Sequence, residues 1–122
     1  MAGFEIPREI REFIRERIDS VAQMEALQLI SQSDSNRTWT ILEVAQRLYI
    51  SQTEAAEALH RLCTLDLLSH SGESFGLHGL RPGDRARVDR LATLYKRYLI
   101  AVTELIHEKS GRSAADNHGV KS

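Results

Sequence analysis

Residues 40–62 read TILEVAQRLYISQTEAAEALHRL, and this stretch decides the fold. Thr40 with Glu43, and Ser51 with Glu54, each place a hydroxyl residue three positions before a glutamate at the head of an apolar-periodic run, the signature of a helix start closed by a capping box. The two starts lie eleven residues apart. After a helix reaching about Tyr49, only about three residues remain for the turn, which forces a tight corner. Trp39 and Val44 occupy the two positions of a hydrophobic staple around the first start, so the single tryptophan is read as structural. Along the second helix Ala55, Leu59, Leu62 and Cys63 fall on an inner face, and Gln52, Thr53, Glu57, His60, Arg61 and Thr64 on an outer one.

Upstream, Ile6, Ile10, Phe13, Ile14 and Ile18 recur at helical spacing behind Pro7, which suits the first turn of a helix. Ser20 with Gln23 predicts a second helix from Val21, with Val21, Met24, Leu27 and Ile30 inward. SQSDSN, residues 31–36, is a polar loop. Downstream the period changes: LLSHS and SFGLHG around Gly72-Glu73 predict a small β-hairpin. After LRPGD, with Pro82 or Asp84 at its head, one long helix is expected from about Asp84 to Lys109, with Gly111 as its stop and residues 112–122 as a disordered polar tail. The expected architecture is one mainly α domain over residues 1–111 with a small β-hairpin: a helix-turn-helix followed by a wing, flanked by an N-terminal and a long C-terminal helix.

Charge is segregated along the chain, although the net value is only −1. Residues 40–80 hold two arginines against five carboxylates, while residues 81–98 hold six basic residues against two acidic ones. The unit with the shape of a DNA reader is therefore acidic. The one cysteine excludes an internal disulfide, no apolar run is long enough to span a membrane, and the N-terminus turns charged too early for a signal peptide, so a cytoplasmic protein is expected. No nucleophile–base constellation, glycine-rich phosphate loop or metal-ligand spacing is present. We expect no enzyme activity, no cofactor and no metal site.

The order of elements resembles the winged-helix DNA-binding superfamily, as in MarR-like bacterial transcriptional regulators. Val44, Ala45, Leu48, Ile50, Ser51, Ala55, Leu59 and Leu62 carry the resemblance, which covers roughly residues 21–79; FIRERIDSVAQMEALQLI also looks like the flanking helices of small bacterial winged-helix proteins. The resemblance implies a helix from Ser51 entering the major groove of double-stranded DNA, with Gln52 on adenine, Thr53 on a base or phosphate, and Arg61 on the backbone; Ser51, Glu57 and His60 complete the candidate face. Two features depart from the pattern. The wing region from Asp66 to Leu80 contains no Lys or Arg, and Glu57 points toward the groove. The alternative is a protein-interaction module whose acidic face meets a basic partner. Val88, Leu91, Tyr95, Tyr98, Val102 and Leu105 follow at steps of three and four; on a helix about 39 Å long this seam predicts a homodimer interface, the alternative being that it packs against the first helix of the same chain.

Overall fold

The computed structural model describes residues 6–34 and 36–108. The chain is mainly helical: α1 (Arg8–Arg17), α2 (Val21–Gln32), α3 (Ile41–Leu48), α4 (Gln52–Thr64), a hairpin of β1 (Ser69–Ser71) and β2 (Ser74–Gly76), α5 (Pro82–Arg97) and α6 (residues 99–108). No described helix is long and apolar enough to cross a membrane. The expected helix end near Lys109, the Gly111 stop and the tail from Arg112 to Ser122 lie outside the described residues.

α2 is the centre of the fold, because its apolar side chains point in nearly every direction. Met24, Ala26, Leu27 and Ile30 are all fully buried, and the helix packs against α3, α4 and α5. A helix covered on several sides has little need of an outer polar face. α1 has the one-sided pattern instead: Ile6, Ile10, Ile14 and Ile18 are buried while the arginines and glutamates of its other face are exposed.

Local capping chemistry sets most of the element starts. Thr40 Oγ1 accepts from the Glu43 amide at 3.1 Å and Glu43 Oε1 accepts from the Thr40 amide at 2.9 Å, a complete capping box. Trp39 and Val44 are buried beside it, as the staple requires. At α2, Ser20 Oγ accepts from the Gln23 amide at 3.3 Å, but Gln23 Oε1 reaches one residue further back and accepts from the Asp19 amide at 2.9 Å. Neither α3 nor α4 ends on glycine, yet both corners close alike. One residue turns left-handed, and the next donates its amide to the carbonyl five positions earlier. Tyr49 (φ 58) is followed by Ile50, bonded to Ala45; Asp66 (φ 62) is followed by Leu67, bonded to Leu62.

The hairpin is shorter than expected. Leu67 and Leu68 serve as the buried exit of α4, leaving three residues per strand in the register Ser69 with Gly76, His70 with Phe75 and Ser71 with Ser74. Trp39 adds one more rung from outside the hairpin: its amide and carbonyl bond those of Phe75, both at 2.7 Å. Gly76 permits the close approach this needs, since a Cβ there would lie 3.1 Å from the Arg37 carbonyl oxygen.

The long C-terminal helix is interrupted. It begins with Pro82 at its first position and breaks at Tyr98 (φ −119, ψ 42), after which hydrogen bonding resumes from Val102 to the Tyr98 carbonyl. The break turns α6 back onto the domain, so the expected uninterrupted 39 Å seam does not form. Val88, Leu91, Tyr95 and Val102, expected at a dimer interface, are buried in the core of their own chain together with Ile106. Tyr98 and Leu105 are half-buried against that core. Among the described residues the large apolar side chains left in solvent are instead Leu99 and Ile100 just past the break, with Leu42 in α3 and Tyr49 at its end.

Candidate macromolecular interface

The corner of residues 49–51 holds α3 against α4 and sets the outward face of α4. Ser51 Oγ accepts from the Glu54 amide at 3.0 Å and so caps the helix. The second half of the expected box is not formed: the Glu54 carboxylate does not return to the Ser51 amide, and Glu54 is exposed. It therefore adds to the surface charge of the face. Gln52, Thr53 and Glu57 are exposed beside it.

His60 and Arg61 are less available. The His60 ring meets Phe75 of β2 edge-on at 5.6 Å, which links α4 to the hairpin. Arg61 turns off the outer face altogether. Its Nε and Nη2 donate to the Arg17 carbonyl oxygen at 3.3 and 3.2 Å, and Nε lies 3.4 Å from Asp19 Oδ2. Arg17 is the last residue of α1, where carbonyls have no intrahelical donor, so a guanidinium there satisfies both the open backbone and the negative end of the helix. Arg61, expected on a DNA backbone, is here engaged at the end of α1.

With Arg61 withdrawn, α4 and the hairpin present Glu54, Glu57, Asp66 and Glu73 with no free cation on either element. Upstream of α4, Arg37 and Arg47 stand 3.6 and 5.3 Å from the Trp39 ring centroid and cover the indole.

Sequence reading missed Tyr49. Its side chain is 95% exposed while its backbone is left-handed, a conformation that Asp66 tolerates far better than a bulky residue does. The conformation carries a penalty of about 1–2 kcal/mol, and the exposed ring returns nothing to the core. The signal was present: a helix stop falls between Leu48 and Ser51, at a position that usually takes glycine or asparagine.

The basic run of residues 81–97 forms the start and body of α5. Arg85 pairs with Asp89 at 3.4 Å and Arg90 with Glu9 of α1 at 2.8 Å, both in solvent. Arg81, Arg87, Lys96 and Arg97 have no carboxylate partner among the described residues; Arg87 lies over the Phe13 ring at 5.4 Å. A cleft of about 340 Å³ runs between α1 and α5, lined by Ile10, Phe13, Gly83 and Ala86 with Arg87 and the paired Glu9 and Arg90.

Among the described residues no group of three His, Cys, Asp or Glu side chains could hold a metal ion. Cys63 is half-buried, and burial pushes its thiol up to about 11, which keeps it protonated and unreactive near neutrality. No family model, curated protein or solved structure matches the chain.

Proposed function

We propose that the chain is a winged helix-turn-helix module whose outward α4 face docks a positively charged protein surface. α2, α3 and α4 supply the three-helix unit and the hairpin with the Trp39 rung supplies the wing. One observation carries the reading: Arg61 is consumed in closing α1, so the recognition face is left with Glu54 and Glu57 beside a hairpin free of Lys and Arg. Proteins that hold duplex DNA at cellular salt typically neutralise about six to ten phosphates. α4 and the hairpin together offer none. The same face would attract Lys and Arg side chains, and electrostatic complementarity of this kind accelerates and selects protein encounters. A cytoplasmic setting fits a chain with one protonated, half-buried thiol.

The second reading is a homodimeric DNA-binding regulator. It draws support from Gln52 and Thr53, both exposed in the first turn of α4, where base-reading side chains sit in helix-turn-helix proteins. A dimer in that reading would use the exposed Leu99 and Ile100, because the seam of α5 is committed to the core.

Fluorescence anisotropy at about 50 mM salt separates the two. The expected result is binding of a labelled Arg/Lys-rich peptide, weakened by Glu57→Arg, with no binding of a random-sequence duplex. Tight duplex binding that Gln52→Ala weakens would overturn the protein-docking reading in favour of the regulator.

A further inference from the structure

Tyr49 is an aromatic side chain held in solvent on a strained backbone, next to a helix that displays two free carboxylates. Its natural receptor is a recess large enough for a phenol ring, apolar at its base and cationic at its edge. The chain carries such a recess itself. The cleft between α1 and α5 offers Phe13 and Ile10 with the guanidinium group of Arg87 and, at its edge, Arg90 paired with Glu9, and has room for one ring. Tyrosine suits it doubly, through its contact with Phe13 and through the attraction of an arginine to the aromatic face. The charges also agree in spacing. Glu54 and Glu57 are three residues apart on α4, as are Arg87 and Arg90 on α5, so each pair spans about 4.5 Å along its helix.

Within one copy these groups do not meet: Tyr49 stays open to solvent, and no ion pair among the described residues joins α4 or the hairpin to α5. We propose that the basic surface recognised by the α4 face is that of a second copy of this chain, Tyr49 of one copy seating in the α1–α5 cleft of the next while Glu54 and Glu57 face its Arg87 and draw its Arg90 from the solvent-exposed pair with Glu9. This rests on the protein-docking reading above and names its partner. The contact is head-to-tail, since the two surfaces differ, and repetition of it builds rings or open chains rather than a closed two-fold pair.

Sedimentation and light scattering of the full chain test the proposal. At low salt the weight-average mass rises above 13.8 kDa as concentration increases from micromolar to sub-millimolar, and it returns to 13.8 kDa in about 1 M salt, where the screening length is only about 3 Å. Tyr49→Gly abolishes the association while its thermal midpoint stays level or rises, which separates lost docking from lost folding. The double variants Glu54→Arg with Glu57→Arg, and Arg87→Glu with Arg90→Glu, are each monomeric alone. Mixed in equal amounts, they associate again and grow beyond a pair, because the α4 face of each is then opposite in charge to the cleft of the other. A wild-type chain that stays monomeric throughout overturns self-docking; if it still binds the Arg/Lys-rich peptide, the wider reading stands, and if it binds neither, both fall. Association that survives Tyr49→Gly, or a symmetric dimer in each charge-reversed variant, overturns self-docking as well.

Discussion

Single side chains decide what this surface can hold. Arg61 reads in the sequence as an outward cation on a recognition helix, yet its partners are the Arg17 carbonyl and Asp19, more than forty residues away in the chain. Helical periodicity reports which side a residue leaves the helix from; it does not report that the end of another helix waits there. Trp39 was legible because its partner Val44 lies within the same local motif. Tyr95 and Cys63 show burial acting on protons. Burial raises the Tyr95 phenol above its ordinary 10.0, the Glu25 carboxylate adds to the rise, and a hydrogen bond with Thr103 opposes it. Cys63 moves the same way, from 9.0 to about 11. The folded chain therefore keeps protons that the unfolded chain releases, and stability is at its full value below about pH 9 and declines as pH rises toward about 11. Urea midpoints measured across that range should fall, and Cys63→Ala should flatten the decline; a midpoint independent of pH would contradict the buried, protonated thiol.

At the scale of elements, the legible features are those whose causes lie within one helical turn. The starts of α2, α3 and α4 follow from hydroxyl caps three residues before their donors, and all three form. The two glutamates that look equivalent are not. Glu43 completes its box and Glu54 does not, so Glu43→Ala should lower stability by about 0.5–1 kcal/mol while Glu54→Ala should leave it nearly unchanged. Chemical denaturation of both variants checks this, and equal losses would mean that the two caps are alike in solution. The break at Tyr98 had no such local cue, because the run from Val88 to Leu105 keeps its three-and-four spacing through it. The cause is tertiary: only a bent segment lets Val102 and Ile106 reach the same core as Leu91 and Tyr95. The hairpin was legible from Gly72-Glu73, whereas its length was set by Leu67 and Leu68 being needed beneath α4.

Across the whole molecule, the near-zero net charge conceals an acidic half and a basic half, and the fold keeps them from neutralising each other. The five ion pairs among the described residues bind α1 to itself, to α5, to α6 and, through Asp19 just beyond it, to α4, and α5 to itself. The charge contrast is left for other molecules to use. The rung between Trp39 and Phe75 has a different reach. Two strands of three residues are too short to persist by themselves. Their lifetime is borrowed from the core through Trp39, whose indole is 1% exposed and whose backbone bonds both sides of Phe75. In hydrogen–deuterium exchange, the Trp39 and Phe75 amides should open only with the global unfolding of α2, at the same slow rate as the Leu27 amide. Faster exchange at Phe75 would mean that the hairpin swings independently. If the rates coincide, the wing and α4 belong to one cooperative unit, and a molecule that grips either element slows the exchange of both.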